Sequence, residues 1–191
     1  MNEIIKIINE RRAIRKYKPV SISETQVNQL LDAARMAPSA LNGQPWKFYV
    51  LSERELIDLF DQKIKAVAVK IFKMDHAAEF FNTPNPIFHG APVVILIAAD
   101  RSNEFAGLDV GMCAQNLMLA AKSMGLDTCP VGLAKFAEQT NVYSILGIKD
   151  ADQVLIGITV GYGDEAPVLH PRKTDNASFV KYEHVPGLLT Y

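Results

Sequence analysis

Residues 37–51 read Ala-Pro-Ser-Ala-Leu-Asn-Gly-Gln-Pro-Trp-Lys-Phe-Tyr-Val-Leu, and the stretch changes character at its tryptophan. Its first ten residues hold two prolines, a glycine, a serine, an asparagine, a glutamine and the chain's single tryptophan. Ser39, Asn42 and Gln44 set donors and acceptors close together, a set that matches a heteroaromatic ring carrying carbonyls and ring nitrogens. The plain alternative is a polar loop leading into the core. Trp46–Leu51 is aromatic and β-branched, which predicts a strand.

Outward from that strand, helical and extended patterns alternate. Ile4, Ile5, Ile7 and Ile8 predict a short first helix ending near Glu10. Ser23 followed by Glu24 and Gln26 predicts a helix start, with Val27, Leu30, Leu31 and Ala34 inward and a stop before Pro38. Glu53 to about Lys73 has helical spacing. Residues 74–90 hold Phe80, Phe81, Phe88, Pro84 and Pro86, a poor helix or strand but a reasonable lid or pocket wall. Val93–Ala98 predicts a buried strand. Asn103–Met124 is helical and apolar nearly all round, which predicts a core centre or a large subunit interface, with Gly125 ending it. Thr128–Val131 predicts a strand, Ala137–Leu146 a helix, and Val154–Val160 the last strand. Helices interleaved with three or four strands give an α+β or α/β class. The tail after Gly163 carries Val168, Leu169, Phe179, Val180, Tyr182, Leu188 and Leu189, and is expected to wrap a partner subunit.

At 191 residues the chain is expected to form one domain, 1–191, large enough to fold without a metal or disulfide. Twenty Lys+Arg against 21 Asp+Glu leave a formal charge of −1, which argues against a protein built around nucleic acid. The longest apolar run, residues 91–99, is too short to span a bilayer, so no membrane association is expected. Two cysteines, Cys113 and Cys129, form no CxxC pair, and His76, His89, His170 and His184 show no metal spacing. The expected setting is the cytoplasm, with no metal, and the Asn176 sequon carries no weight there.

Four constellations could carry chemistry. Arg11, Arg12 and Arg15, followed by Lys16 and Lys18, suit a phosphate. Arg11 and Arg15 would share a face if the turn is helical. The plain alternative is a solvated basic stretch after a helix end. Ser39, Asn42 and Gln44 are the second. In the third, Cys129-Pro130-Val131-Gly132-Leu133, Pro130 fixes the backbone and Gly132 admits a ligand, unless this is a simple strand corner. Arg172 and Lys173 are the fourth, most sensible if they meet the first cluster at one anion. Gly161-x-Gly163-x-x-Ala166 follows a strand but meets Pro167 instead of a helix, so it is no dinucleotide fingerprint.

The segments RRAIRKY, APSALNGQPWKFYVL, HGAPVVILIA, GLDTCPVGLA and GYGDEAP with PRK, in this order, resemble the nitroreductase family over nearly the whole chain. That resemblance implies an α+β nitroreductase-like fold with a central, mostly antiparallel sheet flanked by helices. It also implies an intertwined homodimer with FMN at the subunit interface. By position, Arg11, Arg12, Ala13 and Arg15 would hold the FMN phosphate and pyrimidine edge, with Arg15 toward N1/O2. A cation there would raise the flavin's potential. Pro38, Ser39 and Asn42, with Gln44 close by, would form the partner-subunit loop against the flavin. Pro130, Val131, Gly132 and Leu133 would line the ring with a backbone N–H toward N5. Arg172 and Lys173 would complete the phosphate clamp. Ala13 departs from the family's RRS and loses one hydroxyl contact. The acidic residue that some members carry near the position of Gly132 is absent.

The implied activity is hydride transfer from NAD(P)H through flavin N5 to an electron-poor small molecule such as a nitroaromatic or quinone. It needs no catalytic side chain. The alternatives are a specialised relative, a dehalogenase or enoate reductase, and a flavin-binding or storage protein with little turnover. An anion-binding module without flavin is what the bare residues allow.

Overall fold

Val93–Asp100 forms the strand on which the molecule is built. Its first seven residues are all buried, as expected of a strand covered on both faces. The computed structural model describes residues 2–73, 81 and 83–179. In chain order the strands are β1 (Lys47–Leu51), β2 (Val93–Asp100), β3 (Asp127–Val131) and β4 (Asp152–Gly161). They form one sheet in the order β1-β2-β4-β3, and every pairing is antiparallel. A register shift between Ile97 and Ala98 bulges β2 against β4.

Alternation along β2 divides the core. Val93, Ile95, Ile97 and Ala99 face a layer made by α2 (Glu24–Arg35) and α4 (Ala106–Ser123). Val94, Leu96 and Ala98 face α3 (Arg54–Phe72), through Ile57, Phe60, Ile64 and Ala68. The expected α+β class, with an antiparallel sheet flanked by helices, is what forms.

The predicted helix starts have local causes. The Ser23 hydroxyl accepts the Gln26 N–H, and the Gln26 side chain accepts the Ser23 N–H, a full capping box on α2. Asn2 caps α1 (Glu3–Glu10) by accepting the Ile4 N–H. Gly125, at φ +73°, follows the end of α4 as predicted.

Three expectations meet the structure here, and two of them need correction. Ala137–Leu146 is not one helix. Gly132–Gln139 and Tyr143–Leu146 wind as separate 3-10 segments, broken where Thr140 turns back to donate to the Ala137 carbonyl. The first of them presses onto β4 so closely that a Cβ on Gly157 would lie 2.8 Å from the Ala134 Cβ. Second, α4, expected to be a core centre or a subunit interface, buries one face in the core and leaves Leu108 and Met112 exposed on the other. Third, Phe81 and Phe88 are core side chains packed with α3, not a cleft wall. Phe80 lies outside the described residues, as do Val180, Tyr182, Leu188 and Leu189. The described tail, residues 164–179, runs exposed and without regular structure.

The glycines of the rejected fingerprint have a packing cause. A Cβ on Gly161 would strike the Tyr17 ring at 2.5 Å, and one on Gly163 would meet the Asp127 carboxylate at 2.6 Å. These close approaches dock the N-terminal arm.

Candidate active site

The helical pattern of the first ten residues stops at Glu10, and the chain then runs extended, Arg11 having φ −60° and ψ 130°. The arginines therefore do not share a helical turn as expected. They sit on an arm zipped to the sheet edge. Ala13 bridges to Thr128, the Ile14 N–H donates to the Thr128 carbonyl (3.0 Å), and Tyr17 bridges to Gly163. Ile14 points inward at 4% exposure, and the Tyr17 hydroxyl bonds the Thr159 hydroxyl (2.7 Å). Arg15 lies between these anchors, and Arg11 and Arg12 immediately precede them.

Arg11, Arg12 and Arg172 converge, with Ile8, Asn9, Gln115, Leu169, His170 and Pro171, around a cavity of about 810 Å³. Arg12 donates to the carbonyls of Asn9 (2.5 Å) and Arg11 (2.7 Å), which fixes its guanidinium. The Arg11 Nη1 is buried and has no hydrogen-bond partner among the described residues. Burial, then the like charges of Arg12 and Arg172, lower the Arg11 pKa from its ordinary value. A buried guanidinium donor without an acceptor is unfavourable in isolation. An anion with several acceptor oxygens satisfies it, and forked donors match such an anion. Lys173, expected in the same clamp, is exposed beside Arg172.

Arg15 stands further along the arm. Its N–H donates to the Glu165 carboxylate. Its charge reaches Cys129 and His89. Burial and Arg15 together push the His89 imidazole down to about 4, so it is neutral near pH 7. Burial raises the Cys129 thiol, with Arg15 and Arg11 opposing. Pro130 and Val131 close β3, and Gly132 and Leu133 open the 3-10 segment, so this stretch lies immediately past Cys129 as expected.

Pro38–Gln44 lies elsewhere. None of its residues lines the Arg11 cavity in the single chain. Ala40–Asn42 forms a 3-10 turn, and Leu41, Asn42 and Gln44 take positive φ values of 52°, 55° and 44°. Each such non-glycine residue costs about 1–2 kcal/mol. The Ser39 hydroxyl accepts the Gln44 N–H (2.9 Å), and the Gln44 amide donates to the Asn42 side chain (3.2 Å). The polar set predicted for a heteroaromatic ligand is thus partly self-satisfied.

Sequence reasoning missed four participants. His170 and Gln115 line the cavity, and Glu165 and His89 flank Arg15. The position of His170 two residues before Arg172 was a usable signal. Gln115 on the long helix gave none.

An antiparallel sheet between helix layers, with a cation-walled cavity at one end, defines an α+β protein built to receive a polyanionic ligand. The chain belongs to the nitroreductase family, whose pattern matches residues 8–162. It is 28% identical to the 4-nitrobenzoate reductase of Pseudomonas putida over 95% of this chain and 94% of that one. It superimposes on an FMN-dependent nitroreductase from Clostridium difficile R20291 with a TM-score of 0.80 and 26% identity, covering 94% and 99% of the two chains. A nitroreductase with bound FMN from Desulfitobacterium hafniense DCB-2 shares the fold at a TM-score of 0.86 and 24% identity, covering 95% and 100%. Among the described residues, no helix is long and apolar enough to cross a membrane.

Proposed function

We propose that the protein is an FMN-dependent oxidoreductase that moves hydride from NAD(P)H to an electron-poor small molecule such as a nitroaromatic or quinone, and that it works as a homodimer. The observation that carries this reading is the half-buried Arg11, whose buried Nη1 has no partner among the described residues and which shares a cavity with Arg12 and Arg172. That donor set fits the FMN phosphate: three guanidinium groups face one cavity, and they lack the negative charge a phosphate brings. Lys173 and the backbone at Ala13 extend the same grip. When bound, FMN supplies the two-electron carrier, taking hydride from a reduced nicotinamide and delivering it to an acceptor.

The chain's own residues then bind, orient and tune. Arg15, on the same arm, is read as the cation toward the N1/O2 side, where it favours negative charge on the ring. Pro130, Val131, Gly132 and Leu133 follow β3 and are read as the segment beside the ring. Gly132, exposed and with open space around its Cα, leaves room for close approach. No side-chain nucleophile is required. Buried Cys129 and neutral His89 fit a site whose protein groups do not exchange protons with the substrate.

The homodimer is supported by apolar surface that one chain leaves uncovered. Ile4, Ile5 and Ile8 on α1, Leu108 and Met112 on α4, and Leu41, which is fully exposed, have no core to join. Val168, Leu169 and Phe179 along the tail are also exposed. Patches of this kind mark interaction surfaces. A second subunit would bring Pro38, Ser39, Asn42 and Gln44, which lie away from the Arg11 cavity of their own chain, to the site of the other.

Steady-state oxidation of NADH and of NADPH, with a nitroaromatic or quinone added, tests the activity. Acceptor-dependent consumption of at least one nicotinamide by the FMN-loaded protein is expected. Flavin-loaded protein that consumes neither would support storage instead.

A further inference from the structure

Six non-glycine residues among those described have positive φ, and five of them fall in two loops: Leu41, Asn42 and Gln44 in one, Asn85 and His89 in the other. Each loop is met by a buried aspartate reaching out of a helix. Asp109 of α4 is 2% exposed inside an otherwise apolar cluster, and both its carboxylate oxygens face the Ala40 N–H, at 3.2 and 3.3 Å. Asp61 of α3 is 1% exposed, and its Oδ2 accepts the N–H groups of Ile87 (3.0 Å) and Phe88 (2.6 Å). Buried carboxylates are unfavourable unless richly paired. Among the described residues no ion pair engages either of these two, whereas buried Asp152 has Lys47 at 2.6 Å.

Apolar residues would hold both helices to the sheet at least as well. What a carboxylate adds is a fixed acceptor at a chosen point of each loop. For the first loop that point is the residue immediately before the left-handed pair Leu41–Asn42. The second fixed point is the Ser39 hydroxyl under Gln44. The left-handed residues Leu41 and Asn42 lie between these two anchors, and strain of this kind persists where surrounding contacts hold it.

We propose that Asp109 is a positioning residue: it holds the Ala40–Gln44 loop in its left-handed course and thereby presents Asn42 and Gln44 to the flavin of the partner subunit. The inference rests on the reading of that loop as a flavin-facing element in the dimer. It assigns to a helix residue with no ligand contact part of the site's affinity and geometry.

Two substitutions test it. In D109L the side chain keeps its heavy-atom count and branching, suits its apolar surroundings and offers no acceptor. Its folding stability is expected to hold or rise. Amide exchange over residues 39–44 is expected to quicken about tenfold in the flavin-free protein, with β2 and β4 unchanged. FMN binding, followed by quenching of its fluorescence, is expected to weaken about tenfold, and the visible circular dichroism of bound flavin to change. D109N keeps one acceptor oxygen without the charge and is expected to fall between the two. Should D109L not fold, D109N carries the test, with partial loosening expected. Wild-type exchange over 39–44 in D109L, or a loosened loop with wild-type FMN affinity and dichroism, overturns the proposal. Failure of the unsubstituted protein to bind FMN overturns the underlying flavin reading instead, and is recognised because it needs no substitution.

Discussion

Replacing Arg11 by methionine separates two consequences of burying a guanidinium. Its Nη1 has no partner among the described residues and its neighbours Arg12 and Arg172 repel it. The flavin-free variant is therefore expected to be as stable as the parent or more so, by thermal melting. Loss of a charge-assisted contact worth about 1.5–3 kcal/mol should weaken FMN binding about 10- to 100-fold. Equal losses in both measurements would point to a merely structural arginine. The two thiols carry a second prediction at this scale. Burial raises Cys129 and pushes Cys113 up to about 12, so both should resist a thiol reagent at pH 8 until the chain is unfolded. At the level of single residues, the arginine cluster was legible because closely spaced guanidinium groups after a predicted helix end are a chemical pattern. Asp109 and Asp61 were not, because an acidic residue on a helix looks the same whether it faces water or a loop backbone.

Among the elements, α3 and the segment it holds make a pH-dependent unit. Burial pushes the Asp61 carboxyl up to about 6, against the two backbone N–H bonds that lower it, with Asp58 raising and Lys65 lowering it further. Its Oδ1 is buried without a partner and can carry the proton while Oδ2 keeps both bonds. Between about pH 4 and 6 the folded chain then holds a proton that the unfolded chain has released. Stability should fall as pH rises through this window, by at most about 3 kcal/mol, and level off above it. D61N should remove that slope in urea midpoints taken from pH 4 to 7. An unchanged slope would contradict the assignment. Phe88 tests the correction made to the same segment. As a fully buried core residue, its change to alanine should cost about 3–5 kcal/mol of stability. The acceptor KM of the protein that stays folded should not move.

The strands and long helices were readable because β-branched runs, periodic leucines and a capping box act within a few residues. Ala137–Leu146 was misread as one helix for the opposite reason. The winding breaks where Thr140 turns back onto the Ala137 carbonyl, and the first 3-10 segment packs on Gly157 of β4, a distant contact that local periodicity does not encode. The extended course of Arg11–Tyr17 was hidden in the same way, since its hydrogen-bond partners lie more than a hundred residues away.

At the scale of the molecule, a single chain leaves isoleucines on α1, Leu108 on α4 and Leu41 on the loop in water. The account expects a homodimer in sedimentation at micromolar concentration. It also expects that I5D combined with I8D shifts the species to monomer and releases FMN with it. A monomeric parent that binds FMN fully would remove the partner loop from the site. The family resemblance carried most of this level of organisation, because motifs scattered over the chain record a site that composition and periodicity cannot assemble.

The most direct test of the central claim is an anaerobic absorbance spectrum of the purified, FMN-incubated protein before and after NADH or NADPH is added. The account predicts bands of bound oxidised flavin that bleach on adding at least one of the two. A protein that takes up no FMN, or whose flavin bands persist with both nicotinamides, would contradict it.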